Sequence, residues 1–215
     1  RALAAKEGQP VDAETAALLV GLGRSQMALL DDEAYSTLRR ALDYYADSGD
    51  LEQVVAIAEF PDYGAARRIG LGQLVARALP LVPADSLQSG RLLSRYGQFI
   101  GLQDAAFDEA LDAPNQAIVI SRREGDEALE LQSLVAVASV CSNHMRYDEA
   151  LDSGLQAIEL TKRVPDPRSE VSALYFVVTC LIEKGELEAA KRHASEMLPP
   201  AEQLRDRFWL EGAFG

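Results

Sequence analysis

The sequence predicts an all-α fold, an α-α superhelix in which antiparallel helix pairs stack as a right-handed solenoid. Three observations predict it. Related dipeptides recur at Ala2-Leu3, Ala41-Leu42, Ala78-Leu79, Ala117-Ile118, Ala157-Ile158 and Met197-Leu198, at intervals of 39, 37, 39, 40 and 40 residues. A period of 37–40 residues is that of helical hairpins, each unable to bury its apolar face alone. An aspartate also follows nine residues after four of the six pairs, as Asp50, Asp126, Asp166 and Asp206, so the unit boundary repeats too. Apolar residues make up 48% of the 215, ample for a continuous core. The expected organisation is one array over residues 1–215 with about five helix pairs. Arg1–Gly8 reads as the tail of an earlier second helix, and Phe208–Phe214 as an opening helix without its partner. Neither end reads as a polar cap, so the array is expected to be truncated at both ends from a longer protein.

Each unit reads as helix A, a short turn, helix B and a linking turn. In unit one, helix A covers Ala13–Leu30 with Asp12 as N-cap and Leu18, Leu19, Leu22, Met27 and Leu29 as its apolar positions. Asp31-Asp32-Glu33 puts negative charge at the start of helix B, Ala34–Asp47, which stops at Ser48-Gly49 before Asp50 opens the next helix. Unit two is irregular: helix A is a short Leu51–Phe60 closed by Pro61, residues 61–66 form a loop with Asp62, Tyr63 and Gly64, and helix B covers about Arg67–Leu79. Gly70 and Gly72 fall inside that helix, where they weaken it but permit close packing.

Unit three places helix A at Ser86–Leu102 and helix B at Ala105–Arg123, with Pro114 expected to kink or split the latter. Unit four is the most regular, with helices at Glu127–Asn143 and Tyr147–Lys162. Unit five has helices at Arg168–Glu183 and Leu187–Leu198; the next helix starts near Pro200 or at Asp206. Ala34 and Ala41, Ala110 and Ala117, and Ala150 and Ala157 are small pairs seven apart, which let helix B approach helix A. Cys141 and Cys180, 39 residues apart, read as one position repeated in successive units and as free buried thiols.

The net charge of −13 argues against direct binding to nucleic acid, which needs clustered Lys and Arg. Arg122-Arg123 and Lys162-Arg163 are accounted for as cations at helix C-termini. No apolar run reaches the ~20 residues of a membrane span. The chain has no G-x-x-x-x-G-K-[ST] loop, no G-x-S-x-G and no H-E-x-x-H. His144 and His193 lie in different units without cysteine at zinc spacing, so no metal site, cofactor or catalytic residue is predicted.

Leu19-x2-Leu22-Gly23, Tyr147-Asp148-Glu149-Ala150 with Ala157, and Leu187-Glu188-Ala189-Ala190 resemble the helix signatures of the tetratricopeptide family, whose own period is shorter. Gln116–Asp126, Ala157–Arg168 and Leu204–Leu210 further resemble the helical-repeat region of large bacterial LuxR-type transcriptional regulators. The resemblance implies a cytoplasmic, non-enzymatic interaction or effector-sensing module. Its parent protein would carry a nucleotide-binding ATPase on one side and a helix-turn-helix on the other. The alternative it leaves is a peptide-binding adaptor of chaperone or assembly type.

In tetratricopeptide-like arrays the first helices line the concave face, which places the candidate binding residues. They are Arg91, Ser94, Arg95 and Gln98 in unit three, Gln132, Ser139 and Asn143 in unit four, and Ser172, Tyr175 and Thr179 in unit five. Steps of three, four or seven put each set along one helix face. Together they would offer a hydrogen-bonding groove with an arginine pair at one wall, suited to an acidic peptide or a small polar effector.

Overall fold

The structure, a computed structural model, describes residues 10–29, 31–59, 71–101, 107–205 and 209–210. Every regular element among them is helical. The chain divides into two compact units, Arg1–Ala84 and Asp85–Gly215.

In the first unit, α1 (Ala13–Ala28) packs on α2 (Ala34–Ser48), α2 on α3 (Leu51–Ala58), and α3 on α4 (Leu71–Ala78). Asp12 caps α1 by accepting from the Thr15 amide at 2.7 Å, and Asp50 caps α3 by accepting from the Gln53 amide at 3.2 Å. Gly49, with φ of 75°, supplies the left-handed residue that ends α2. Leu19 and Met27 are buried as expected, whereas Leu22 is 40% and Leu29 81% exposed. Leu29 lies past the last turn of α1 as its C-cap, so the helical period no longer aims it inward. Helix α4 passes into a short 3-10 turn at Leu79–Leu81 that takes Pro80 near its start. Gly72 is buried within α4. Pro61, the loop 61–66, the start of helix B near Arg67 and Gly70 lie outside the described residues, as do Arg1–Gly8 and the chain's last five residues.

The second unit holds α5 (Leu87–Ile100), α6 (Phe107–Glu124), α7 (Glu127–Asn143), α8 (Tyr147–Thr161), α9 (Pro167–Glu183), α10 (Leu187–Glu196) and α11 (Leu198–Leu204). Each helix packs on its sequence neighbour from α7 to α11, and α5 on α6 and α6 on α7 likewise. In addition α7 packs on both α5 and α9, so the first helices of successive pairs touch directly. Ser86, Asp126 and Asp166 cap α5, α7 and α9, accepting from the amides of Ser89, Leu129 and Arg168. The repeating aspartate is a helix start signal, since Asp50, Asp126 and Asp166 each cap a helix, and Ser86 takes the same place 40 residues before Asp126. The pairs Ala110/Ala117 and Ala150/Ala157 are completely buried, as close approach of helix B to its partners requires.

Two expectations are corrected here, and one open alternative is selected. Pro114 does not split helix B of unit three: α6 runs through it from Phe107 to Glu124. Proline has no N–H, so the Ala110 carbonyl loses its helical donor. That side of α6 faces Gly97 of α5, where an added Cβ would stand 2.6 Å from the Ala110 oxygen and 3.0 Å from Pro114 Cγ. A glycine opposite the proline lets the two helices close over the gap, so packing holds α6 together where its ladder is interrupted. Second, of the two starts left open for the next helix, the one near Pro200 is met: α11 begins at Leu198, directly after Met197. Pro199 and Pro200 fall in its first turn, where amides have no helical acceptor and proline costs nothing. Asp206 itself lies outside the described residues. Third, Cys141 and Cys180 are not one repeated position. The caps Asp126 and Asp166, and the left-handed residues Met145 and Gly185, are each 40 apart, which aligns Cys180 with Val140.

Candidate functional site

The cap register defines which residues of the first helices share a line. Six residues past the caps stand Leu92, Gln132 and Ser172; nine past them, Arg95, Val135 and Tyr175; thirteen past them, Phe99, Ser139 and Thr179. Six of the ten candidate residues therefore fall on one face of a α5, α7 and α9 layer: Arg95, Gln132, Ser139, Ser172, Tyr175 and Thr179. Asn143 continues the same face one turn on, from the end of α7. Arg91, Ser94 and Gln98 belong to neighbouring lines of α5.

The polar floor is partly closed. Ser94, Ser139 and Ser172 are 3%, 2% and 8% exposed, so these hydroxyls are packing groups. Gln132, Asn143 and Arg91 are exposed, and Arg95, Gln98, Tyr175 and Thr179 are half-buried. Asn143 donates through Nδ2 to the Ser139 carbonyl at 2.8 Å, and the Thr179 hydroxyl donates to the Tyr175 carbonyl at 2.8 Å. Both bonds stay within one helix, a common way for short polar side chains to satisfy themselves.

The arginine pair is tied to its surroundings. The Arg91 guanidinium lies 3.8 Å from the Asp126 carboxylate at the start of α7. The Arg95 guanidinium stands 5.0 Å from the centre of the Phe99 ring, one turn along α5. At the far side of the layer, Tyr175 meets Phe176 edge-on at 5.4 Å and Trp209 edge-on at 5.9 Å. Phe99 and Trp209 are site residues that the composition of the polar stripes did not point to. Phe99 was findable from its cap offset, which it shares with Ser139 and Thr179.

The groups with nucleophilic or metal-binding potential are quenched or scattered. Burial pushes the Cys141 thiol up to about 11, with the Glu149 carboxylate adding to the effect. Burial likewise raises Cys180, while its contact with Ser142 works in the opposite direction. Both sulfurs are therefore thiols and not thiolates at neutral pH, and both lie buried and unbridged. His144 caps the end of α7 through its backbone N–H, and its ring packs 5.2 Å from Phe107. His193 Nδ1 lies 3.6 Å from Glu196 within α10 and its cap. Among the described residues no group of three or more His, Cys, Asp or Glu side chains is placed to hold a metal ion. No described helix is long and apolar enough to cross a membrane.

No protein-family model matches the chain, and no curated protein matches it significantly.

Proposed function

We propose that this chain is a non-catalytic helical-repeat module that binds a protein, a peptide or a small polar effector through the face of its first helices. It would belong to a multidomain cytoplasmic regulator of the LuxR-like type, relaying occupancy of that face to ATPase and DNA-binding domains. The observation that carries the interaction reading is the layer of α5, α7 and α9, whose caps repeat every 40 residues and whose equivalent positions line up as Arg95, Val135 and Tyr175. Such a layer presents one side chain per unit at regular spacing, which is how stacked hairpins read an extended ligand. A right-handed superhelix is the arrangement we propose for the array.

The regulator context rests on the sequence resemblance in Gln116–Asp126 and Ala157–Arg168. It is tested by the gene: a P-loop coding region upstream and a helix-turn-helix downstream are the expected result, and absence of both refutes it. Binding at the face is tested by titrating an acidic peptide into the chain and into its Arg95→Ala variant. A loss of about tenfold in affinity supports the face, since a charge-assisted contact contributes about 1.4 kcal/mol or more. Equal affinity refutes it. The adaptor reading, with a trap for a terminal carboxylate, is weaker because Arg91 already lies beside Asp126.

A further inference from the structure

Away from the face of the first helices, the second unit exposes apolar side chains at its helix-helix turns. Met145 is 72%, Ile182 51% and Leu187 54% exposed. Successive turns are locked side by side. Lys184, after α9, pairs with Asp148 at the start of α8, and burial and then the nearby Glu183 carboxylate raise the pKa of the Tyr147 hydroxyl. Likewise His144 packs 5.2 Å from Phe107 at the start of α6, and Arg146 stands 5.3 Å from the same ring. Phe107, Met145, Tyr147, Ile182 and Leu187 therefore form one edge, with Phe107 and Tyr147 half-buried beneath the more exposed three.

That edge is rimmed with negative charge. Asp108 and Glu109 open α6, Asp148 and Glu149 open α8, and Glu183, Glu186 and Glu188 surround the turn into α10. The cations within the rim are Arg146, Lys184 and Lys191, each already paired with a carboxylate of the rim: Glu149, Asp148 and Glu188. The acidic N-terminal turns of α6 and α8 answer to their helix dipoles, but nothing in helix stability asks for apolar side chains between them. Met145 adds an independent sign. Its φ of 58° is left-handed, at the position where the next unit has Gly185 with φ of 77°. A side chain there is locally unfavourable, yet it is large, apolar and turned to solvent.

We infer that this turn edge docks a basic amphipathic segment of a partner protein, apolar side chains on the Met145–Ile182–Leu187 strip and Lys or Arg on the carboxylate rim. A second copy of the chain is a poor occupant, because it brings the same acidic edge and a net charge of −13. An amphipathic helix meets both requirements at once, with anchors at i, i+3 or i+4 and cations on either flank.

The probe is a labelled amphipathic Leu/Lys helix about 14 residues long, with a Ser/Lys peptide of the same charge as comparator. Anisotropy titrations are expected to show that the Leu/Lys peptide binds and that the triple change Met145→Ser, Ile182→Ser, Leu187→Ser weakens it about tenfold or more. The same change at Val119 and Leu155, exposed in the middle of α6 and α8, is expected to leave binding intact. Hydrogen exchange on the unaltered chain, which needs no variant to fold, is expected to show peptide-induced protection at 144–148 and 182–188. The inference is overturned if the Ser/Lys peptide binds equally well, if both sets of variants weaken binding alike, or if protection falls elsewhere. It is also overturned if light scattering shows a dimer that the triple change abolishes, since a second copy would then cover the edge.

Discussion

Replacing Gly97 with alanine tests the α5–α6 contact at its tightest point. The added Cβ would sit 2.6 Å from the Ala110 carbonyl oxygen and 3.0 Å from Pro114 Cγ, short of van der Waals separation by most of an ångström. Neither neighbour is a flexible side-chain end: one is backbone, the other a buried ring. The helices must move apart, and overpacking of this kind costs about 1–3 kcal/mol. The change also removes a helix-interior glycine, which gains about 1 kcal/mol. The clash is with fixed atoms, so its upper range applies and the net loss is about 1–2 kcal/mol. Gly21 supplies the control, because an added Cβ there meets nothing within 4 Å in α1. Gly21→Ala should gain about 0.5–1 kcal/mol by propensity alone. Urea denaturation followed by circular dichroism gives both values, and the signs are expected to be opposite. Should Gly97→Ala prove as stabilising as Gly21→Ala, the argument that glycine there admits the proline-bearing helix is wrong.

Three other outcomes are expected. Asp126→Ala removes the cap of α7 and costs about 1 kcal/mol, a fall in Tm of about 2–4 °C, and Asp126→Ser recovers most of it. Glu170 is raised above the ordinary carboxylate range by burial first, then by Glu196 and Asp166. The folded state thus holds its proton more tightly than the unfolded chain, and its contribution to stability is lost as pH rises through the folded value. Glu170→Gln should therefore raise Tm at neutral pH, with the gain vanishing in acid; a gain that persists at low pH contradicts this. Cys141 and Cys180 should resist alkylation at pH 8 in the native chain and react promptly in denaturant, because burial keeps them protonated and covered; equal rates would show that the core opens readily.

The fold was most legible where start and stop signals agreed with the apolar period. For α7 both ends follow from Asp126 and from the turn at His144, and the helix spans Glu127–Asn143 as the sequence indicates. Legibility failed at proline. Taken alone, Pro114 looks like a break, and only the matching Gly97, at a separation set by tertiary packing, reveals why it is accommodated. The 39-residue spacing of Cys141 and Cys180 misled because apolar identity is a weaker ruler than caps: one helix face tolerates a shift of one residue, and an N-cap does not. The candidate site was legible as a face but not as a surface. A stripe of serines suits a wet groove and a close helix contact equally well, since a hydroxyl satisfies itself on its own helix. Ser133 does so, donating to the Leu129 carbonyl at 2.7 Å while completely buried. Exposure depends on the neighbouring helix, which a single stripe does not encode.

The seams between helix pairs have a consequence for how such a chain changes over generations. At Gly125-Asp126 the preceding helix ends in a left-handed residue, with φ of 70°, and the next begins on its own carboxylate. At Pro165-Asp166 the following helix again starts from its own aspartate, with Pro167 in its first turn. The side-chain bonds that start α7 and α9 close within three residues and borrow nothing from another pair. A segment cut from Asp126 to Pro165 carries both its own beginning and its own end. It can be copied or deleted in frame without orphaning a cap, leaving only the helix faces on either side to be matched anew. The number of pairs is thus the quantity that genetic duplication can alter most readily, and reach can change while the local rules stay constant.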